Sequence, residues 1–258
     1  MIITGIIGYP LDMTLSPKMH RAAFEAQKIN GAYLEIPVEP ARLKEVLDSL
    51  QKIGCRGVNV TNPHKETLLP LLTKMSKEVK EVGAVNTIVF DSTDIIGYNT
   101  DIFGLEALFN KINYEIGGKN IFLLGAGGVA RAAAYVIRSH APKTFFMTNR
   151  NFQKAQQLAQ KFSATAVKTN LISPLLNSAD MVINATSVDL QDDVTPFMQK
   201  GSFYLDLNYK FRHKNKVGIT MVNGLEMLVH QGAKAYSLWT GQEAPVDVMK
   251  QALGLNHD

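Results

Sequence analysis

Lys65 and Asp101 are the two residues of this chain whose types and positions most directly suggest acid–base chemistry. They follow predicted strands, at the ends of the segments Asn59-Val60-Thr61-Asn62-Pro63-His64-Lys65 and Gly97-Tyr98-Asn99-Thr100-Asp101. A lysine can take the proton of a hydroxyl group when desolvation or a neighbouring charge brings its pKa nearer the working pH, and an adjacent carboxylate orients it. The two residues could therefore serve alcohol oxidation or form an ordinary structural ion pair, and the sequence favours neither.

Two further polar clusters stand at the ends of predicted elements. Thr14 and Ser16 precede a predicted helix that could begin at Pro17. Such a helix N-terminus can bind a carboxylate, although a lone serine there is more often a helix cap than a ligand. The motif Gly83-Ala84-Val85-Asn86-Thr87 adds an amide and a hydroxyl.

A glycine-rich turn follows the apolar run Ile121-Phe122-Leu123-Leu124. The turn Gly125-Ala126-Gly127-Gly128-Val129-Ala130 satisfies the pattern G-x-G-x-x-G/A, and a predicted helix comes directly after it. In this pattern the first glycine allows a tight turn, the second lets the backbone approach a pyrophosphate, and the helix N-terminus offers free N–H groups. The strand before the turn and the helix after it make dinucleotide binding the favoured interpretation.

The next predicted strand indicates which dinucleotide is bound. NAD-binding proteins place an acidic residue there to accept from the ribose hydroxyls, whereas a 2′-phosphate requires a cation. Here the strand ends in Asn149-Arg150-Asn151, and Lys154 follows one helical turn later. A charge-assisted contact from Arg150 is worth about 1.5–3 kcal/mol, or roughly 10- to 150-fold in preference. The sequence therefore predicts NADP rather than NAD.

The elements that must position these residues form two series of alternating strands and helices. The individual predictions are strands at 2–8, 32–38, 57–60, 121–124, 144–148, 181–183, 204–207 and 219–222, two short strands within 84–98, and helices at 18–28, 41–53, 65–73, 102–113, 127–140, 152–162, 225–240 and 245–253. This pattern predicts an α/β protein with two open, mainly parallel α/β domains, the second a Rossmann dinucleotide-binding domain, and a ligand cleft between them.

Composition excludes several other classes of protein. The chain has 258 residues, of which 46% are hydrophobic and 19% charged, so collagen, coiled coils and wholesale disorder are disfavoured. Cys55 is the single cysteine and can form neither an intrachain disulfide nor a structural zinc site. Without a secretory leader or an apolar run long enough to span a bilayer, we expect a cytoplasmic protein, with no membrane partner.

The net charge is distributed unevenly along the chain. The formal total is +4, but residues 116–179 contain no acidic side chain. Their eight basic residues are Lys119, Arg131, Arg138, Lys143, Arg150, Lys154, Lys161 and Lys168. This distribution favours an anionic ligand for the segment over chance. A nucleic-acid partner is disfavoured because no recognised motif supports one.

Taken together, these motifs resemble the shikimate dehydrogenase family, and the resemblance covers nearly the whole chain. The matching elements are Gly8-x-Pro10 with Ser16-Pro17, Asn59-Val60-Thr61-x-Pro63-x-Lys65, Gly83-Ala84-Val85-Asn86-Thr87, Asn99-Thr100-Asp101, Gly125-Ala126-Gly127-Gly128, Asn149-Arg150, Asn184-Ala185-Thr186-Ser187, Asp206-x-x-Tyr209 and Gly224-x-x-Met227-Leu228-x-x-Gln231. Any one of them could arise by accident, but their shared order and spacing make the assignment specific.

The resemblance implies reversible, NADP-dependent reduction of 3-dehydroshikimate to shikimate, a step towards the aromatic amino acids. It implies that Lys65 and Asp101 are the catalytic pair. The implied substrate-binding residues are Thr14, Ser16 and Tyr209 at the carboxylate, and Thr61, Asn86 and Gln231 at the hydroxyls. The implied NADP-binding residues are Gly125, Ala126, Gly127, Gly128, Asn149, Arg150, Lys154, Thr186, Gly224 and Met227. Because the family returns its C-terminal helices to the first domain, we expect residues 1–101 with 225–258 to form the substrate-binding and catalytic domain, and 102–224 the NADP-binding domain.

Departures from the family pattern bear on the substrate rather than on the reaction class. Met13 and Thr14 stand where the family commonly has a histidine and a serine, and the extra methyl group of Thr14 could alter how the carboxylate is seated. Asn151, Lys154, Val188-Asp189 and Glu226 also replace common residues. A quinate or quinate/shikimate dehydrogenase is therefore the nearest alternative, followed by an aminoshikimate dehydrogenase and a non-catalytic nucleotide-binding relative. Monomers and homodimers both occur on this scaffold.

Overall fold

The structure is a computed structural model that describes residues 1–11, 14–211 and 214–255. Met13, one of the departures noted above, lies outside the described residues. The strands are β1 (Ile2–Gly8), β2 (Gly31–Pro37), β3 (Gly57–Val60), β4 (Lys74–Met75), β5 (Thr87–Phe90), β6 (Ile95–Tyr98), β7 (Asn120–Leu124), β8 (Thr144–Thr148), β9 (Thr165–Ala166), β10 (Met181–Asn184), β11 (Phe203–Asp206) and β12 (Thr220–Asn223). The α-helices are α1 (Ser16–Ala26), α2 (Leu43–Lys52), α3 (His64–Thr67), α4 (Lys77–Val82), α5 (Asp101–Lys111), α6 (Gly128–Ser139), α7 (Phe152–Lys161), α8 (Ser173–Leu176), α9 (Gln191–Val194), α10 (Leu225–Thr240) and α11 (Val246–Ala252).

The chain divides into two compact units, each built on one sheet. The first unit comprises Met1–Gly104 and Leu228–Asp258, and the second comprises Leu105–Met227. Both boundaries fall within helices, α5 and α10, whereas the sequence placed them at the first residues of these helices. A helix that begins in one unit and continues in the other gives no break in composition at which a boundary could be recognised.

Both sheets have the predicted class. The sheet of the first unit has the order β2-β1-β3-β5-β6-β4, in which β5 runs antiparallel to both of its neighbours and the other pairs are parallel. The sheet of the second unit has the order β12-β11-β10-β7-β8-β9 and is parallel throughout. The prediction of two mainly parallel α/β sheets is confirmed.

The first unit packs an apolar layer against each face of its sheet, because successive side chains of a strand point to opposite faces. One layer contains Val58 and Ile88 and includes side chains of α2. The other contains Ile6, Tyr33 and Trp239, together with apolar side chains of α1, α10 and α11.

Gly57 makes room for Trp239 in this second layer. A Cβ atom at Gly57 would overlap the Trp239 indole nitrogen and the carbonyl oxygen of Ile88. The indole Nε1 instead donates a hydrogen bond of 2.9 Å to that carbonyl. This contact fixes α10 against the sheet, and α10 also contains two of the predicted site residues, Met227 and Gln231.

Several local predictions were wrong in detail. The first helix begins at Ser16 rather than at residue 18. The helix predicted at 65–73 is the short α3 followed by a 3-10 turn, Leu69–Leu71, because Pro70 lacks the N–H that an α-helix would use and restricts the preceding residue. The short helices α4, α8 and α9 were not predicted, although Ser76 caps α4 by accepting from Val79 N and Gly83 ends it with φ +73°.

Among the described residues, no helix combines the length and the apolar character that crossing a bilayer requires.

Candidate active site

Lys65 and Asp101 meet in the first unit. Lys65 lies on α3, just after β3, and Asp101 is the first residue of α5, just after β6. Lys65 Nζ lies 2.6 Å from Asp101 Oδ2, and only 14% and 6% of the two side chains is exposed. An ion pair so shielded from water has little competition from solvent for its hydrogen bonds, so each group orients the other.

Asn86 holds the second oxygen of the Asp101 carboxylate. Its Oδ1 accepts a hydrogen bond of 2.7 Å from the backbone N–H of Thr100, and because a backbone N–H can only donate, this contact fixes which end of the amide is which. The Nδ2 of Asn86 then donates to Asp101 Oδ1 at 2.8 Å. The carboxylate is therefore bound through one oxygen to Lys65 and through the other to Asn86.

Gln231 reaches the same cluster from α10. Its Oε1 lies 3.4 Å from Asn86 Nδ2 and 3.4 Å from Thr100 Oγ1, while its Nε2 donates to the carbonyl of Leu228. The sequence predicted that the C-terminal helices would bring Gln231 back to the first half of the chain. The structure brings Lys65, Asp101, Asn86 and Gln231 together.

Thr14, Ser16 and Thr61 lie at the starts of helices in this unit. Ser16 is the buried first residue of α1, and Thr14 Oγ1 accepts from its backbone N–H at 3.3 Å. Ser16 is therefore not the N-cap: that position belongs to Leu15, whose side chain makes no capping bond. The carbonyl of Thr61, which follows β3, accepts from His64 N. In the described part of the chain, none of the three hydroxyls makes a hydrogen bond to Lys65 or Asp101.

The glycine-rich turn of the second unit leaves the N-terminus of α6 open. Gly125 has φ +118°, and a Cβ atom there would lie 2.9 Å from the carbonyl oxygen of Ala185. Both the backbone conformation and the lack of space therefore require glycine at this position. A Cβ atom on Gly127 would meet nothing within 4 Å. Because Gly127 is the N-cap and supplies no side chain, the first N–H groups of α6, which begins at Gly128, lack a side-chain cap. These features fit the pyrophosphate of a dinucleotide.

The residues predicted to select NADP lie where β8 ends and α7 begins. Asn151 caps α7 by accepting from Lys154 N, and Asn149 Nδ2 donates to the carbonyl of Asn151. Arg150 and Lys154 are exposed, and neither forms an ion pair with any described residue. Two cations next to this sheet edge, with no acidic partner among those residues, fit a phosphate group on the ribose.

The remaining predicted residues belong to the second unit and have mixed environments. Thr186 donates from both its backbone nitrogen and its hydroxyl to Asn184 Oδ1, at 3.0 and 2.7 Å. Gly224 lies so close to the backbone of Leu207 that a Cβ atom would be 2.6 Å from its carbonyl oxygen, which gives this glycine a packing role. Met227 is buried, Ala126 is buried in the glycine turn, and Tyr209 is partly exposed on the segment after β11.

No role was predicted for several buried polar residues that lie beside the candidate site residues in the sequence. They are Asn59, Thr87 and Thr100 in the first unit and Asn184 and Asp206 in the second. Asn184 Nδ2 donates to the buried Asp206 carboxylate at 3.0 Å, which ties the ends of β10 and β11 together. A signal was available, because each of these residues lies in a quoted motif at or beside the end of a strand.

Comparison with known proteins places this geometry in a family. The model of the shikimate dehydrogenase substrate binding domain matches residues 6–88. The model of shikimate / quinate 5-dehydrogenase matches residues 107–200, and that of the shikimate 5'-dehydrogenase C-terminal domain matches residues 224–253.

Individual relatives match over almost their entire length. A protein of Carboxydothermus hydrogenoformans named shikimate dehydrogenase (NADP(+)) is 38% identical over 98% of this chain and 97% of its own. The structure of shikimate 5-dehydrogenase from Thermus thermophilus in complex with NADP(H) and shikimate is 30% identical, with a TM-score of 0.87 over 98% of each chain. Quinate dehydrogenase from Corynebacterium glutamicum in complex with NAD is 29% identical, with a TM-score of 0.84 over 98% of each chain. This chain therefore belongs to the shikimate dehydrogenase family, as its motifs predicted.

Proposed function

We propose that this protein catalyses the reversible, NADP-dependent interconversion of 3-dehydroshikimate and shikimate, with Lys65 and Asp101 as its acid–base pair. The observation that supports this most directly is the shielded contact of 2.6 Å between Lys65 Nζ and Asp101 Oδ2, which lies beside two amide side chains. Membership of the family supports the reaction, and the contact supports the roles of the two residues.

Lys65 would exchange the proton of the reacting oxygen. In the reduction, its ammonium group gives a proton to the ketone oxygen as the carbonyl carbon receives hydride. In the oxidation, the neutral amine takes the hydroxyl proton as hydride leaves. Asp101 stabilises the ammonium form through Oδ2 and is itself held at Oδ1 by Asn86, so it acts on the reaction by positioning the lysine.

The other polar residues would bind the substrate. Thr14, Ser16 and Tyr209 would bind its carboxylate, which suits two hydroxyls at an N-terminus of α1 that lacks a side-chain capping bond. Thr61, Asn86 and Gln231 would meet its hydroxyl groups, since amide and hydroxyl side chains both donate and accept.

When bound, NADPH would supply the hydride for reduction and NADP⁺ would accept it in oxidation. The open N-terminus of α6, together with Gly125, Ala126, Gly127 and Gly128, would hold the pyrophosphate. Asn149, Arg150 and Lys154 would contact the ribose and its 2′-phosphate, and Thr186, Gly224 and Met227 would lie on the nicotinamide side.

Quinate is the alternative substrate that a specific residue favours. Thr14 has a methyl group where the family commonly has serine, and its Oγ1 is engaged by the backbone N–H of Ser16. Either feature could change how the carboxylate of a cyclic acid is seated at the start of α1.

The deciding experiment measures initial rates with shikimate and quinate, each paired with NADP and with NAD. We expect shikimate with NADP to have the highest kcat/KM. A preference of tenfold or more for quinate would replace the proposal by a quinate dehydrogenase, and tight NADPH binding without turnover would indicate a non-catalytic relative.

The role of Lys65 is tested by Lys65→Ala against Lys74→Ala. Lys74 also forms an ion pair of 2.6 Å, with Asp94, but its side chain is exposed, so it is a matched control. Removal of a general acid–base group is expected to lower kcat by about 10²–10⁴ with a smaller effect on KM. Lys74→Ala is expected to leave kcat unchanged. An increase in KM alone for Lys65→Ala would make Lys65 a binding residue and refute its assigned role.

A further inference from the structure

A line of buried polar side chains crosses the otherwise apolar face of the first sheet. Tyr33 on β2 donates from its hydroxyl to Asn59 Oδ1 on β3 at 2.7 Å. Asn59 Nδ2 donates to Thr87 Oγ1 on β5 at 3.1 Å, and these two residues are direct partners in the antiparallel register of β3 and β5. They share this face with Ile6 and Trp239, where polar groups are costly to bury unless they are hydrogen-bonded.

The line continues into the candidate catalytic pair. Thr87 Oγ1 lies 3.2 Å from Asn86 Oδ1, and Asn86 Nδ2 donates to Asp101 Oδ1 at 2.8 Å. The other oxygen of Asp101 accepts from Lys65 Nζ. Every step from Tyr33 to Asp101 can therefore run in one direction, with each residue donating to the next.

Thr87 is the residue on which this order depends. Its Oγ1 accepts from Asn59, so its single hydroxyl proton is free to be donated onward to Asn86 Oδ1 or to Thr100 Oγ1, which is also at 3.2 Å. An asparagine or valine in its place could not both accept and donate through one atom. Hydrogen bonds that follow one another in this way polarise each other and rigidify the groups at the end of the line.

We infer that Thr87 is a positioning residue for the reaction: its hydroxyl, held by Asn59 and Tyr33, acts together with the Thr100 backbone N–H on Asn86 Oδ1, and so holds the Asn86 amide where Asp101 presents its second oxygen to Lys65. This inference rests on the proposed function, because it concerns the efficiency of proton exchange at Lys65. Thr87 touches neither of the charged groups directly in this arrangement, and its effect passes through Asn86.

The test compares Thr87→Val, Thr87→Ser and Thr4→Val with the wild-type protein. Valine keeps the volume of threonine and removes the hydroxyl, whereas serine keeps the hydroxyl. Thr4 is a matched control, because it is equally buried in the same sheet and pairs with Tyr33 in the register of β1 and β2, but its hydroxyl donates to the backbone carbonyl of Ala32 rather than to a side chain of the line. For each protein, kcat and KM for shikimate and the ratio of kcat in H₂O to kcat in D₂O are measured, with the folded fraction determined from tryptophan fluorescence.

For Thr87→Val we expect kcat per folded molecule to fall about 10- to 100-fold with a smaller change in KM, and the solvent isotope effect to rise because proton exchange becomes more rate-limiting. Thr87→Ser should recover kcat to within about threefold of wild type, and Thr4→Val should match wild type in kcat and isotope effect. A purely structural role would lower the folded fraction without changing the isotope effect of the molecules that remain folded.

Several outcomes would overturn the inference. A folded Thr87→Val protein with wild-type kcat and isotope effect would do so while leaving the proposed function intact. Failure of the wild-type protein to turn over shikimate would remove the proposed function and this inference together. If Thr87→Val does not fold, Tyr33→Phe decides, since it removes only the first donor. For Tyr33→Phe, a decrease of about two- to fivefold in kcat with a raised isotope effect would support the inference, and an unchanged kcat and isotope effect would refute it.

Discussion

His20 should lower the stability of the first unit in mild acid. It lies on α1 inside the aromatic layer, stacked on Tyr33 with ring centroids 4.4 Å apart and with Trp239 at 5.3 Å. Neither ring nitrogen has a hydrogen-bond partner among the described residues, and complete burial lowers the pKa of His20 to about 3. The folded protein thus holds an imidazole that strongly resists protonation.

The size of the effect follows from proton linkage. In the unfolded chain this imidazole has its ordinary pKa of 6.5, so below that pH the unfolded state binds a proton that the folded state does not. Above about pH 6.5 the imidazole is neutral in both states and its protonation does not affect the free energy of unfolding. As the pH falls from about 6.5 towards about 3, the unfolded state is increasingly favoured and the free energy of unfolding decreases. At about pH 4.5, two units below the unfolded pKa, the loss amounts to about 3 kcal/mol.

Urea unfolding of the wild type and His20→Phe at about pH 7 and about pH 4.5 measures this loss. Trp239 is the single tryptophan of the chain and packs in the same layer, so its fluorescence reports on the unit that contains His20. Phenylalanine keeps the stacking and cannot be protonated. Its own effect on packing is present at both pH values and cancels when they are compared.

The wild type should lose about 3 kcal/mol more unfolding free energy than His20→Phe between the two pH values. Carboxylates elsewhere titrate in both proteins and do not affect this difference. Equal losses in the two proteins would refute the reasoning, because they would mean that the folded state accommodates a protonated His20.

Two further predictions concern the cofactor and the core. In initial-rate assays, Arg150→Gln should raise KM for NADP about 10- to 150-fold and leave KM for NAD unchanged. Arg138, which is also exposed, is the control, and Arg138→Gln should change neither KM. Equal effects of Arg150→Gln on both cofactors would contradict the role assigned to Arg150. Gly57→Ala should destabilise the first unit by about 1–3 kcal/mol in urea unfolding followed by fluorescence, because its Cβ atom would overlap the Trp239 indole and the Ile88 carbonyl; an unchanged midpoint would show that α10 can shift without cost.

The regular elements could be predicted because their signals are local. The apolar run before Gly125 and the helix after it needed only periodicity and glycine chemistry, and the structure has both within a residue or two. Short elements were different. β4 and β9 have two residues each, so no period can reveal them, and they exist because they pair with β6 and β8. Their formation depends on tertiary contacts rather than on the preferences of their own residues.

The candidate catalytic residues could be recognised in the sequence by their types, but the sequence could not show that they contact each other. Lys65 and Asp101 are 36 positions apart, and whether they touch depends on how the strands before them are ordered in the sheet. The pairing of Asn59 with Thr87 depends further on β5 running antiparallel to β3, which a general expectation of a mainly parallel sheet does not supply. A shift of one residue in that register would turn Thr87 to the opposite face and break the line of donors to Asp101. The motifs therefore contain both the proposed substrate-binding residues and the buried polar residues beside them, but which of these side chains are hydrogen-bonded to each other becomes visible only when the strand register is known.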